Sequence, residues 1–166
     1  MPSQFGFHTT LAAFTAAKKE AAVEIMRETK KYFGQAFDKE QLGDDKWDEV
    51  SRRTVGSKYN EKRVVGGINK PTGKGFTVDQ GDDYATRKIL SGVTGRLRYK
   101  TEKADSSITQ DGTTSVMFNP VPYAGYINDG TPYMPERPFM KQTEELTNIQ
   151  LTILEQKTGK IWKTQP

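Results

Sequence analysis

Residues 122–140 read PYAGYINDGTPYMPERPFM, with four prolines, three tyrosines, two glycines and one arginine set between Glu136 and Pro138. Proline fixes φ and removes a backbone donor, so neither a long helix nor a central strand runs through this stretch. Tyr123-Ala124-Gly125-Tyr126-Ile127 has room for one or two helical turns. Gly130 then supplies a chain reversal, and Pro132, Pro135 and Pro138 hold an extended path past Tyr133 and Met134. Pro138 also suits the first turn of a helix, where a missing N–H costs nothing. The stretch reads as a rigid loop that ties a short helix to the C-terminal helix. Arg137 is expected to donate to carbonyls or carboxylates that fix the loop, and Phe139 to anchor it in the core.

Upstream, Leu11, Phe14, Ala21, Ala22, Ile25, Met26, Thr29 and Phe33 recur at helical spacing. They predict a long amphipathic helix of roughly six turns, capped by Thr9 or Thr10 and ending near Gly34. Phe37, Leu42 and Trp47 are the apolar anchors of the charged connection that follows, and Gly43-Asp44-Asp45 marks a turn within it. Trp47 is expected to bury its ring over the core.

Residues 51–81 form a long basic insertion, read as a loop or a hairpin turning at Asn69-Lys70-Pro71. Its cations are Arg52, Arg53, Lys58, Lys62, Arg63, Lys70 and Lys74. Gly73-Lys74-Gly75 is not a phosphate loop: the spacing from Gly67 is one residue too long, and no Ser or Thr follows Lys74. Asp82 or Asp83 is expected to cap a helix over 84–91, which ends at Gly92. Beyond it, Arg96, Arg98, Lys100 and Lys103 alternate with Leu97, Tyr99 and Thr101, the period of a strand with one basic face. A turn at Ala104-Asp105-Ser106, a strand at 107–109, a second turn at Asp111-Gly112 and a third strand at 115–118 complete an antiparallel β-meander. The last helix is expected over 138–157, with Glu144 and Glu145 where the helix dipole favours them. Gly159 would end it and leave Ile161 and Trp162 in an apolar tail (158–166). The fold class is α+β: a long N-terminal helix, a β-meander, and a C-terminal helix packed on the sheet, in a single domain over 1–166.

The chain holds 166 residues, only 34% of them hydrophobic, and its mean hydropathy is −0.76. That is lean for a self-sufficient core; either long polar loops or burial completed inside an oligomer accounts for it. The net charge of +4 is unevenly spread. Residues 1–50 hold 7 basic against 9 acidic groups, residues 51–103 hold 13 against 5, and residues 104–166 hold 5 against 7. The positive middle block faces either a polyanion or an acidic patch on a neighbour. No apolar run is long enough to span a membrane, and the N-terminal stretch lacks the basic start of a secretory signal.

The composition contains one histidine and no cysteine, so no zinc site, thiol catalysis or Ser-His-Asp arrangement is expected. No cofactor, metal or catalytic residue is predicted, and enzyme activity is not expected. A nonspecific nucleic-acid-binding module is the rival reading. It would use the basic 51–103 region, with Tyr59, Phe76, Tyr84 and Tyr99 available to stack on bases.

Several short motifs, in order, give the chain a family likeness. Tyr123-Ala124, Asp129-Gly130-Thr131 and Met134-Pro135-Glu136-Arg137-Pro138-Phe139-Met140 resemble the signature of the Mu-type phage virion morphogenesis proteins, which look related to tail-completion proteins of long-tailed phages. Trp47 stands where that family has a tryptophan before a Ser/Thr-basic segment. Leu90, Thr94, Gly95 and Leu97 resemble its Ile-Leu-x-x-Thr-Gly-x-Leu segment. Glu136 stands where the family usually has alanine. The resemblance implies a structural virion protein that acts in head–tail joining or tail completion as a ring component of the neck. It implies a homo-oligomer, a hexamer, in contact with neck, connector, tail-terminator and tail-tube proteins, located in the virion and assembled in the host cytoplasm. Nonspecific contact with double-stranded DNA in the ring lumen is compatible with it.

Overall fold

The computed structural model describes residues 7–50, 53, 64–68, 75–79, 88–90, 95–110 and 112–163. Helix α1 (Phe7–Lys39) leads into a small hairpin, β1 (Gln41–Leu42) and β2 (Asp45–Lys46). A second hairpin follows, β3 (Val64–Ile68) and β4 (Gly75–Asp79), and then α2 (Arg96–Glu102). A third pair, β5 (Asp105–Ile108) and β6 (Ser115–Phe118), precedes α3 (Ala124–Asp129) and α4 (Glu144–Lys163). All three strand pairs are antiparallel and two-stranded. The architecture is mixed α and β, with a long N-terminal helix, small antiparallel sheets and a C-terminal helix closing the core, as the sequence predicts.

At 1.5 Å per residue, the 33 residues of α1 span about 50 Å. One face of it is buried: Ala21, Ala22, Met26, Thr29, Tyr32, Phe33, Ala36 and Phe37. Helix α4 runs antiparallel along this face. Glu145 Oε2 meets the Tyr32 hydroxyl at 3.0 Å, Gln150 reaches Thr29 at 3.3 Å, and Lys157 pairs with Glu24 at 2.9 Å. Phe37, Phe139 and Leu146 are the largest apolar side chains sealed in the core, with Trp47, Leu97, Val121 and Ala124 around them.

Several expectations are corrected. Helix α1 begins before Thr9 and Thr10, so neither caps it, and it runs five residues past Gly34. Gly34 is there for packing: a Cβ on it would stand 3.0 Å from Glu102 Cγ, so its bare backbone lets α2 approach. The segment around 96–103 is helix α2, not a strand. Leu97 and Thr101 are buried four residues apart, and Arg98 pairs with Glu102 at the same spacing. In so short a run the alternation of apolar and basic residues fits both periods, and Gly95, at φ 57, starts the helix. The three-stranded meander is thus a single β5–β6 hairpin. Residues 104–106 do not turn; Asp105 already pairs with Phe118, and the reversal lies around Gly112.

Helix α4 starts at Glu144, six residues after Pro138, because Thr143 caps it: Thr143 Oγ1 accepts from Leu146 N at 3.1 Å. It continues through Gly159 to Lys163, so the tail at Ile161 and Trp162 is helical backbone. The basic insertion does contain a hairpin, with Val64 opposite Asp79 and Ile68 opposite Gly75. Its predicted turn at 69–71 lies outside the described residues. Of the helix predicted over 84–91, residues 88–90 are not helical, 89 and 90 forming a turn, and the rest lies outside the described residues.

Candidate functional site

Five tethers hold the segment from Asn119 to Met140, which contains α3 and the loop after it. Asn119, buried on the entry side, donates to Thr101 Oγ1 at 2.8 Å and accepts from Val121 N at 3.0 Å. Thr101 Oγ1 in turn donates to Leu97 O at 2.9 Å, so the loop entry is locked to α2. Helix α3 then carries Asn128, whose Oδ1 accepts from both Phe139 N (3.1 Å) and Met140 N (3.0 Å). Arg137 N donates to Ile127 O at 2.9 Å. Trp47 Nε1 donates to Pro138 O at 2.8 Å, and the Phe139 ring packs against Phe37 at 5.5 Å between centroids.

Between these tethers the chain reverses at Gly130, with φ 75 and ψ −178, a conformation open almost only to glycine. Thr131 and Met134 exchange backbone hydrogen bonds of 2.8 and 3.1 Å, closing a tight turn with Pro132 and Tyr133 at its tip. Thr131 Oγ1 accepts from Tyr133 N at 3.3 Å, and Asp129 Oδ1 accepts from Asn128 Nδ2 at 2.8 Å. The Asp-Gly-Thr motif therefore works inside the turn. Three tyrosines leave the frame: Tyr123, the residue before α3, Tyr126 on α3, and Tyr133, which is 99% exposed; Asp129 and Glu136 are exposed as well.

Arg137 is only 7% exposed. Its side chain makes a single hydrogen bond among the described residues, from Nη2 to Asp48 O at 3.3 Å, and Nε is sealed with no partner. The expected contact is thus to a carbonyl. Of the other motif positions, Trp47, Leu97, Ala124, Pro138 and Phe139 are buried in or beside one core. Leu90 packs against that core from a turn, and Gly95 starts α2. Thr94 lies outside the described residues.

Two cations of the predicted basic region, Arg53 and Arg98, are paired within the chain. Arg98 forks onto Asp38 at 2.6 and 2.8 Å and takes Glu102 at 2.8 Å. Arg53 holds Glu40 at 2.7 Å and Glu49 at 3.3 Å. Arg96 is exposed, and Lys100 sits 5.9 Å from the exposed ring of Tyr99. The side chains of Arg52, Lys58, Lys62, Arg63, Lys70 and Lys74 lie outside the described residues.

Two residues that matter most went unnoticed in the sequence. Asn128 staples the loop, and no periodicity marks a buried-side asparagine. Glu40 ends α1 at φ 56 and gathers both flanks of the insertion. Its carboxylate takes Arg53 on one side and the backbone N–H of Ile89 (2.7 Å) on the other. Lys88 Nζ adds a bond to Asp38 O at 2.9 Å. Burial pushes the Glu40 carboxyl up, but the Arg53 guanidinium and the Ile89 N–H outweigh it and hold it below the usual carboxylate range.

Among the described residues no group of three His, Asp or Glu side chains is placed to hold a metal ion, and no helix is long and apolar enough to cross a membrane. A groove of about 370 Å³ between α1 and α2 is walled by Arg27, Lys30, Lys31 and Arg98, with Asp38 and Glu102 neutralising part of that charge. No protein-family model, curated protein or solved structure matches this chain.

Proposed function

We propose that this chain is a structural virion protein of a tailed phage that completes the head-proximal end of the tail. It assembles with copies of itself into a ring, a hexamer, within the neck. It works by shape and without catalysis, against connector, tail-terminator and tail-tube neighbours. The observation that carries this reading is the 122–140 loop: its frame is sealed into the core, while Tyr123, Tyr126 and Tyr133 stand in solvent. Exposed tyrosines on a rigid backbone lose little entropy on contact and are frequent interface anchors. The motif likeness to virion morphogenesis proteins supports the same reading. The lean apolar composition supports it too, since an oligomer supplies burial that the single chain lacks.

The test is to locate the chain in the finished particle and to weigh the purified protein in solution. A discrete ring and density at the neck support the proposal; a chain absent from the virion overturns it. The second reading, nonspecific nucleic-acid binding, draws on α2, which exposes Arg96 and Tyr99 beside Lys100. The internal pairing of Arg53 and Arg98 counts against it. Tight, steeply salt-dependent affinity of the monomer for DNA would favour that second reading.

A further inference from the structure

We infer that Arg137 is the seat for a carboxylate carried by a second copy of this chain; this rests on the ring reading above. A guanidinium keeps its charge at any working pH, and burying a charge is costly unless it is paired. Elsewhere this protein obeys the rule. Arg53 and Arg98 are more exposed than Arg137, yet both are closed by carboxylates at 2.6–2.8 Å. Arg137 is 7% exposed and has one long bond to a neutral carbonyl, a sealed Nε with no partner, and no carboxylate at ion-pair distance among the described residues.

The frame keeps it there. Pro135 and Pro138 restrict the backbone on either side, Arg137 N is tied to Ile127 O, and Asn128 holds the next two amides. The guanidinium is therefore held in place short of a counter-charge. Nη1 also makes no hydrogen bond among the described residues, and only Nε is both sealed and unpartnered. A carboxylate arriving at the Nη1 corner can draw the group outward by the slack in the 3.3 Å bond and engage it as a fork. Tyr126 on α3 and Tyr133 on the loop are exposed and free to pack against the arriving copy.

The occupant is another copy because this surface carries the matching groups. Asp44, Asp45, Glu144 and Glu155 are exposed and hold no ion pair among the described residues. The 1–50 and 104–166 segments that bear them each have an acidic excess.

The experiment compares wild type with Arg137→Met, reading melting temperature in dilute solution and mass by sedimentation at rising concentration. Methionine keeps the buried volume and removes the charge. The monomer of R137M is expected to melt within about 2 °C of wild type or above it, while self-association weakens about 100-fold. Neutralising one of the four acids should reproduce that loss, and pairing Arg137→Glu with that acid changed to arginine should restore it. A monomer destabilised by R137M, or an R137M chain that associates like wild type, overturns this inference and leaves the ring reading standing. Wild type that stays monomeric overturns both. Wild type stabilised by millimolar acetate without self-association assigns the seat to a free anion and overturns the inference.

Discussion

Glu40 accepts a backbone conformation that costs a side-chain-bearing residue about 1 kcal/mol, and its carboxylate more than offsets that by joining three segments. Replacing it by glutamine keeps the shape but removes the charge that faces Arg53. Glu40→Gln should destabilise the chain by about 2 kcal/mol at pH 7, measured by urea unfolding. The pH dependence has a definite sign. The folded carboxyl titrates below its ordinary value of 4.5, so its contribution is complete above that pH and fades as pH falls through the folded value. The gap in melting temperature between wild type and E40Q should therefore be full at pH 7 and shrink as the pH falls below 4.5. Trp47 offers a second single-atom test. Trp47→Phe keeps most of the buried ring but strips Pro138 O of its donor, at an expected cost of about 1–3 kcal/mol. Faster proteolysis within 122–140 should accompany it.

At the scale of elements, two glycines with positive φ separate conformation from space. At Gly95 (φ 57) a Cβ would meet nothing within 4 Å, so Gly95→Ala should cost only the left-handed strain, about 1 kcal/mol. At Gly130 the Cβ would stand 2.8 Å from Glu136 N, a backbone atom that cannot yield without opening the turn. Gly130→Ala should cost about 3 kcal/mol or more, seen as a shift in urea midpoint several-fold larger than that of Gly95→Ala. Gly130 was legible in advance because an Asp-Gly-Thr run between prolines has few other readings. The core anchors were legible for a similar reason: Phe33, Phe37, Leu42, Trp47 and Phe139 are large apolar groups in charged surroundings, and all are buried. Helix α2 was not legible, since seven residues hold too few turns for its period to beat a strand's. Gly34 misled because a glycine near a helix end and a glycine under a packed neighbour look alike in sequence; only Glu102 tells them apart. The loop's tyrosines and prolines could be read, but its staple, Asn128, could not, because its acceptor role depends on where Phe139 and Met140 fold back.

At the scale of the whole molecule, stability and assembly are expected to lie on different atoms of the same loop. The frame side chains (Trp47, Asn128, Phe139) hold the fold, while the side chains of Tyr126 and Tyr133 make no hydrogen bond or ring contact among the described residues. Tyr126 is 65% and Tyr133 99% exposed, so removing both rings takes away little intramolecular burial. A double variant, Tyr126→Ser with Tyr133→Ser, should melt within about 2 °C of wild type. If the loop is the contact between ring neighbours, the same variant should lose assembly, because two central aromatic anchors commonly carry about 2 kcal/mol or more each of binding free energy. Light scattering on the purified chain reads the mass, and complementation in infected cells reads the yield of joined heads and tails. Unchanged melting with lost assembly fits a surface selected for fitting another protein. Lost melting would mean that the rings stabilise the single chain, and unchanged assembly would move the interface away from this loop.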